Sequence, residues 1–189
     1  EIYLLQEGKT PTGKPKYYAG KKLTGKPLDT IPDGFEIHEC PETAQVTLRK
    51  IKPSRITLFE KAQTEAIIRQ VSGLEHFIVE IEGDALVVYT PGMTESEAND
   101  MITLMSGPML GSPNSQVDDR RESLIKQSVY MKMLRFELWD SDNRTFRARR
   151  WCFLGSIDDW MSSGQSGTLA DLVETYAKHL GSESFFELM

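Results

Sequence analysis

HFIVEIEGDALVVYT, residues 76–90, decides the fold, because its alternation of apolar and polar residues predicts a β-hairpin. A two-residue turn at Gly83-Asp84 matches the twist of paired antiparallel strands. Such a turn places Ile81 opposite Leu86 and Val79 opposite Val88. The large apolar side chains that then share one face are Phe77, Val79, Ile81, Leu86 and Val88.

Helical patterns flank this hairpin on both sides. Thr57 and Glu60 form a capping box, and the apolar spacing after them predicts a helix to about residue 72. Thr94 and Glu97 form a second capping box, for a helix to about residue 106. The hairpin is therefore predicted to lie between two helices.

The segment that follows contains one loop signal and several helix signals. The run GPMLGSPNSQ, residues 107–116, predicts a loop, and a helix is expected from about Asp118 to Ser128. Nearer the C-terminus, Ser156 and Thr168 are predicted to cap two more helices. The second of these has an apolar stripe of Leu169, Leu172, Val173, Tyr176 and Leu180.

A second hairpin is predicted from MLRFELWDSDNRTFRARRWCF, residues 133–153. An even-numbered loop would place Phe136 on the same face as Arg147, which would bury charge or expose apolar side chains. A three-residue loop, Asp142-Asn143-Arg144, with Asn143 at positive φ, avoids this conflict. The apolar face then contains Leu134, Phe136, Leu138, Ala148 and Cys152, with Arg150 as the only misfit.

The opposite face of the second hairpin is rich in arginine and tryptophan. Glu137 is predicted opposite Arg149, and Trp139 opposite Arg147, which gives an ion pair and a cation–π contact. The simplest interpretation is a solvated, internally paired surface. Arg and Trp are also typical of protein interfaces, and nucleic-acid binding is the less favoured alternative. The candidate binding surface comprises Arg135, Trp139, Arg147, Arg149 and Trp151, together with Lys21 and Lys22 near the N-terminus.

Hairpins rather than βαβ crossovers supply these strands, so the sequence predicts an α+β fold with antiparallel sheet. The order helix–hairpin–helix occurs around residues 57–106 and again around 118–162. This order suggests a twofold repeat, although residue identities between the two stretches do not support a duplication.

The N-terminal part of the chain is predicted as a β-rich, lysine-rich lead. Six lysines and no acidic residue lie between residues 9 and 26. Short strands are expected in PKYYAG (15–20), FEIHEC (35–40) and AQVTLRKI (44–51). The predicted division is a lead of residues 1–52 and an α+β body of residues 53–189, with two lobes, 53–110 and 117–189, as the alternative form of the body.

Composition limits the class of protein. Apolar residues make up 39% of the 189 residues, which is typical of a folded globular protein. No apolar run approaches the ~20 residues that span a bilayer. A net charge of −6 is unlike that of a protein that coats duplex nucleic acid. Two cysteines, Cys40 and Cys152, are too few for a disulfide framework, so we expect a soluble cytoplasmic protein. The sequence starts at Glu1 rather than Met, which leaves open whether other residues precede it in the natural chain.

One stretch resembles a phosphate-binding loop. GKKLTGKP, residues 20–27, spaces its glycines and Lys26 as a P-loop does. Pro27 replaces the hydroxyl residue that would bind Mg²⁺, and Pro32 cannot continue a helix. We therefore expect a lysine-rich turn and no ATP or GTP site.

The remaining chemical candidates are weak. His38, Cys40 and His76 are scattered, whereas a structural zinc site uses four ligands. Cys152 is predicted to point into the core, where a thiol is usually unreactive. No catalytic motif is present, so we expect no cofactor, no metal site and no catalytic residue set.

Two segments resemble an uncharacterised family of bacterial hypothetical proteins. They are KPKYYAGKKLTGKPLDTIPDGFEIHECPETAQVTLRKI (14–51) and the tail from RARRWCFLGSIDDWM (147–161) to LGSESFFELM (180–189). The resemblance covers both ends and leaves the middle open. It implies a bacterial, cytoplasmic, globular protein and implies no activity or functional residues.

The absence of a catalytic set, together with the surface candidates, favours a non-enzymatic protein that binds a protein partner or self-associates. The alternatives are a nucleic-acid accessory protein that uses the lysine-rich lead with the Arg/Trp hairpin face, and an enzyme with a dispersed active site. The terminal ESFFELM is a further candidate, because Phe185, Phe186 and Leu188 are apolar. We expect this segment to be docked in the core or an interface rather than frayed.

Overall fold

The computed structural model describes residues 2–106, 114–153 and 158–188. Within these residues the chain forms four α-helices and three antiparallel sheets, which confirms the predicted α+β class. The chain divides into two units, Glu1–Pro53 and Ser54–Met189. In the part of the chain that is described, no helix combines the length and the apolar character needed to cross a membrane.

The first unit contains two small sheets. β1 (Leu4–Lys9) lies between β2 (Pro15–Gly20) and β3 (Lys26–Pro27), and β4 (Phe35–Glu39) pairs with β5 (Val46–Lys50). The strands predicted in PKYYAG, FEIHEC and AQVTLRKI are confirmed as β2, β4 and β5. β1 was not predicted, since its sequence LLQEGK lacks the β-branched and aromatic residues typical of strands.

A buried amide side chain organises the interior of the first unit. Gln6 is fully buried, and its Oε1 accepts hydrogen bonds from the backbone N–H groups of Thr24 (2.6 Å) and Gly25 (2.8 Å). Its Nε2 donates to the carbonyl oxygen of Lys22 at 2.7 Å. The loop between β2 and β3 is therefore fixed by backbone groups that bond inward to one side chain.

The second unit is built on a five-stranded antiparallel sheet with the order β10-β9-β8-β7-β6. The strands are β6 (Ile78–Ile81), β7 (Ala85–Pro91), β8 (Tyr130–Asp140), β9 (Thr145–Trp151) and β10 (Trp160–Gly167). The register predicted for the first hairpin is confirmed, with Ile81 opposite Leu86 and Val79 opposite Val88.

The α-helices of the second unit are α1 (Leu58–Ser72), α2 (Glu95–Ser106), α3 (Asn114–Gln127) and α4 (Leu169–Ala177), and a 3-10 helix follows at Glu183–Glu187. Both predicted capping boxes are present at the starts of α1 and α2. The predicted cap of α4 is confirmed as well, because Thr168 accepts from the backbone N–H of Asp171. α3 begins before the predicted Asp118, and residues 107–113 of the predicted loop lie outside the described residues.

β10 corrects the prediction made for the region around residue 160. The sequence predicts a helix after Ser156, but Trp160–Gly167 form an edge strand, and Ser156 itself lies outside the described residues. Serine, glycine and glutamine have little preference for strands, so pairing with β9 determines this element. Asp159 lies directly before this strand, and its carboxylate accepts from the backbone N–H of Trp160. The twofold repeat is not confirmed.

The hydrophobic core lies between one face of the sheet and helices α1 and α4. The predicted apolar faces of both hairpins and the stripe of α4 all contribute to it. Cys152 is fully buried, as predicted. The buried members include Val79, Leu86, Val88, Leu134, Phe136, Leu138, Phe146, Ala148, Ile68, Leu169, Leu172, Val173, Tyr176 and Leu180.

The C-terminal segment is docked, as predicted. Phe185 is fully buried in the core, whereas the ring of Phe186 is largely exposed and packs on Phe153 with centroids 5.9 Å apart. The segment is a 3-10 helix rather than an extended chain. Arg150 is buried, and its Nε donates to the carbonyl oxygen of Leu188. Arg150, the one charged residue on the apolar face of the second hairpin, therefore binds the C-terminal segment to β9.

Hydrogen-bonded ion pairs join the start of α1 to the turns of both hairpins. The side chain of Arg55 donates to the carboxylate of Asp84 at 2.7 Å and to the hydroxyl of Ser141 at 2.6 Å. Arg144 donates to the carboxylate of Glu60 and to the carbonyl oxygen of Arg55. These contacts hold the ends of three elements together.

The stability of the second unit should fall as the pH drops below about 4.3. Burial raises the pKa of Glu60, but hydrogen bonds from Arg144 and Thr57 outweigh burial, so the pKa lies below its ordinary value. Because the folded-state pKa is the lower one, this stabilisation is complete above the unfolded-state pKa and is lost as the pH falls through the folded-state pKa. Urea unfolding followed by tryptophan fluorescence between pH 7 and 3 measures the effect.

The Glu60→Gln variant is the control for this pH dependence. It should be less stable at pH 7 and should lose less stability than the parent chain on acidification. Equal pH dependence in the two proteins would contradict the role assigned to Glu60.

Candidate binding surface

Five of the predicted surface residues lie on one face of the sheet in the second unit. Arg135 and Trp139 on β8, and Arg147, Arg149 and Trp151 on β9, all lie on the face opposite the hydrophobic core. We call these five residues the Arg/Trp face. Strand alternation places them there, because their neighbours along each strand are the buried residues of the core.

The loop of the second hairpin differs from the prediction, although the two faces do not. The turn contains four residues, Ser141–Arg144, and Arg144 rather than Asn143 has positive φ (49°). The predicted odd-length loop is therefore wrong. Trp139 is an extra residue on β8 that forms a β-bulge. A one-residue bulge combined with an even loop gives the same division of faces as an odd loop.

The bulge also changes which residues are opposite each other. Glu137 lies opposite Arg147, not opposite Arg149 as predicted. Even so, the Nε of Arg149 reaches a carboxylate oxygen of Glu137 at 2.9 Å. The guanidinium carbon of Arg147 lies 3.2 Å from the ring centroid of Trp139. Both predicted contacts are present, since diagonal neighbours are within reach of long side chains.

Two of the three arginines share one carboxylate. Each Glu137 oxygen accepts from a different arginine, one from the Nε of Arg135 and the other from the Nε of Arg149, both at 2.9 Å. Arg135 also lies 3.6 Å from Glu82, which accepts the hydroxyl hydrogen of Tyr89. These partly buried side chains hold one another in fixed positions.

Arg147 is partnered differently from Arg135 and Arg149. Among the described residues, its guanidinium contacts the Trp139 ring and has no carboxylate or carbonyl partner. A guanidinium carbon only 3.2 Å from the centroid leaves no room for N–H groups between it and the ring, which requires stacking. A stacked guanidinium keeps its N–H groups at its edges, away from the ring. Trp139 itself is 62% exposed.

Trp160 extends this face and was not predicted to lie there. In β10 it is opposite Trp151, and the two rings pack edge-to-face with centroids 5.0 Å apart. Arg135 lies 5.7 Å from the Trp160 centroid, and the ammonium of Lys132 lies 5.1 Å from that of Trp151. All three tryptophans of the chain therefore belong to one surface. The sequence did not predict Trp160 on this surface, because the segment after Ser156 was predicted to be a helix.

The other two candidate residues, Lys21 and Lys22, belong to the loop between β2 and β3 in the first unit. The ammonium of Lys21 lies 5.8 Å from the centroid of the Tyr3 ring, and the carbonyl of Lys22 accepts from Gln6. In a P-loop the backbone N–H groups point at phosphate. Here the N–H groups of Thr24 and Gly25 are bound to Gln6, which supports the interpretation as a lysine-rich turn.

A cavity of about 290 Å³ in the second unit is the natural place to seek a dispersed active site. It lies near the end of α1 and the start of α2, and its polar lining includes Glu75, His76, Thr90 and Glu95. Within the described residues, His76 makes no hydrogen bond to a hydroxyl or a carboxylate. Over the same residues, no group of three His, Cys, Asp or Glu side chains is placed to hold a metal ion.

Comparison with known proteins gives no relative. The sequence matches no protein-family model and no curated protein, and the structure matches no solved structure. The resemblance to a bacterial family stays a prediction.

Proposed function

We propose that this chain is a non-enzymatic binding protein whose second unit binds a protein partner through the Arg/Trp face. The pair formed by Trp139 and Arg147 is the observation that supports this function. Tryptophan and arginine are the residue types that most often carry the binding energy of protein interfaces. Trp139 presents a large apolar surface to solvent, and Arg147 lies flat against its ring.

The surroundings of Trp139 favour binding because they are already ordered. The turn beside it is fixed by Asp140, whose Oδ1 accepts from the backbone N–H groups of Asp142 (2.9 Å) and Asn143 (3.1 Å). Arg147 restricts the rotation of the tryptophan ring from one side. A partner therefore has less side-chain entropy to remove when it binds, which increases affinity.

The charges on this face favour a protein partner over a nucleic acid. Glu137 and Glu82 together offset the charges of Arg135 and Arg149. Binding to a phosphate backbone relies on several available cations, whereas carboxylates on the same surface repel it. The nucleic-acid accessory function is therefore the weaker proposal.

An enzymatic function has less support. The cavity beside His76 lacks, among the described residues, a hydrogen-bonded nucleophile and base.

We retain the cytoplasm as the proposed compartment, on the basis that Cys40 and Cys152 are both free thiols.

The experiment is affinity capture from the source cells with the full chain, followed by measurement of the dissociation constant for the protein that is captured. Trp139→Ala should weaken binding about 30-fold or more, the effect expected for a central interface residue. Phe59→Ala is the matched control, because Phe59 is also an exposed aromatic residue (74%), at the start of α1. It should bind like the parent chain.

Equal affinity of the parent chain and Trp139→Ala would overturn the proposed function. If the captured protein is lost after nuclease treatment, binding depends on nucleic acid, and the nucleic-acid accessory function replaces the proposed one. Both variants change exposed side chains, so their melting temperatures should stay close to that of the parent chain.

A further inference from the structure

The hydrogen bonds of the Arg/Trp face leave one arginine without an anion. Arg135 and Arg149 occupy the two oxygens of Glu137. Arg147 is directly opposite Glu137 in the register, yet receives neither oxygen. On β10 its opposite residue is Ser166, which carries no charge. Glu80 and Lys132 lie on the same face and add one charge of each sign. With Glu82 included, the positive groups of this face therefore exceed its carboxylates by one charge.

From this arrangement we infer that the partner supplies a carboxylate, from an aspartate or glutamate side chain in an acidic protein segment, which binds the edge of Arg147 beside Trp139. The inference rests on the proposed protein-binding function and specifies the partner for it. A carboxylate accepts two parallel hydrogen bonds from a guanidinium, and the stacked Arg147 presents such an edge.

The ring of Trp139 determines what else the segment carries. The ring is 62% exposed, so an apolar side chain next to the acidic residue would cover it and would dehydrate the new ion pair. Removing water strengthens the attraction between the two charges. The expected partner is therefore a segment in which an acidic residue adjoins an apolar one.

A single available guanidinium favours a carboxylate over a phosphate group. Phosphorylated motifs carry about two negative charges and are recognised by clusters of arginines. Here Glu137 and Glu82 together offset the charges of Arg135 and Arg149, so one compensating charge is sufficient for Arg147.

Nuclear magnetic resonance with peptides of defined sequence tests this inference directly. The chain has three tryptophans, and each indole N–H gives its own resonance, so the three signals report on this face alone. A ten-residue peptide of alternating Glu and Leu should shift the Trp139 indole signal. The same peptide with Gln in place of Glu should bind at least tenfold more weakly, and so should one with phosphoserine in place of Glu.

The matched variants separate Arg147 from its neighbours. Arg147→Gln should weaken binding of the Glu peptide at least tenfold, and Arg147→Lys should have an intermediate effect, because lysine keeps the charge but cannot stack or bind bidentately. Lys126→Gln, which removes a positive charge on α3, should have no effect.

The outcomes distinguish this inference from the function on which it rests. If Trp139→Ala abolishes binding of the captured protein while Arg147→Gln leaves that binding unchanged, the partner is a protein that does not use a carboxylate here, and the inference fails alone. Equal binding of the Glu and Gln peptides, or tighter binding of the phosphoserine peptide, would also overturn it. If neither Trp139→Ala nor Arg147→Gln weakens binding of the captured protein, the proposed function is overturned as well.

Discussion

Replacing Phe185 with alanine should lower the free energy of unfolding of the second unit by about 3–5 kcal/mol. Phe185 is fully buried in the core, although it belongs to a short 3-10 helix outside the main secondary structure. Truncation removes the transfer energy of the ring and leaves a cavity that a close-packed core fills only in part. A loss of this size is large against the 5–15 kcal/mol that stabilises a typical domain.

Tryptophan fluorescence measures this effect cleanly, because Trp139, Trp151 and Trp160 all lie in the second unit. Phe186→Ala is the control, since it changes the adjacent ring, which is 57% exposed. The control should lower the melting temperature by a few degrees at most, and Phe185→Ala by roughly 10–17 °C.

Equal shifts for the Phe185 and Phe186 variants would show that the segment does not rely on the buried ring. Deleting residues 185–189 should destabilise at least as much as Phe185→Ala. The deletion also removes the carbonyl oxygen of Leu188, to which the buried Arg150 donates. A buried guanidinium that loses its acceptor adds to the cost. Unchanged stability and oligomeric mass after deletion would contradict docking.

Local patterns predicted the elements whose formation depends on nearby residues. The capping box at Thr57 and Glu60, the cap at Thr168 and the turn at Gly83-Asp84 are each determined within four positions of sequence. In these elements the side chain that closes the hydrogen bond is close in sequence to the group it binds. The apolar stripe of α4 was predictable for the same reason.

The separation of apolar from charged side chains predicted the two faces of the second hairpin correctly, although the predicted loop length was wrong. The cost of burying Arg147 or exposing Phe136 applies whatever loop joins the strands. The chain satisfies this requirement with a four-residue turn and a bulge at Trp139. Several combinations of loop and bulge give the same faces, so hydrophobic pattern alone could not choose among them.

The candidate surface could be predicted only in part. Contacts within the hairpin, between Arg149 and Glu137 and between Arg147 and Trp139, follow from alternation along two adjacent strands. The contribution of Trp160 depends on β10, whose Ser/Gly-rich sequence forms a strand only by pairing with β9. Elements fixed by long-range pairing leave little local signal.

The interior of the first unit is held by the polar residue Gln6, whereas the second unit has a large apolar core. Among its described residues, Gln6, Pro41 and Leu48 are the buried ones. A unit of this size buries little apolar surface, so each interior hydrogen bond has a large share in its stability. Gln6 satisfies the N–H groups of Thr24 and Gly25 and the carbonyl of Lys22.

Gln6→Leu should therefore unfold the first unit or destabilise it by at least about 3 kcal/mol, since each of the three backbone groups left without a partner costs about 1–3 kcal/mol. Leucine has a similar volume, so the loss reports on hydrogen bonding rather than on packing. Gln45→Leu is the control in the same unit, because Gln45 is exposed. Its effect should stay within about 0.5 kcal/mol.

Amide hydrogen exchange followed by mass spectrometry locates the effect. In Gln6→Leu, peptides from residues 2–53 should exchange faster than in the parent chain, most of all around Thr24 and Gly25, whose N–H groups Gln6 holds. Gly25→Ala tests the same loop independently: a Cβ there would lie 2.6 Å from the carbonyl oxygen of Glu7, so the loop could not keep its approach to β1. If both variants exchange like the parent chain, the amide of Gln6 does not hold this unit together.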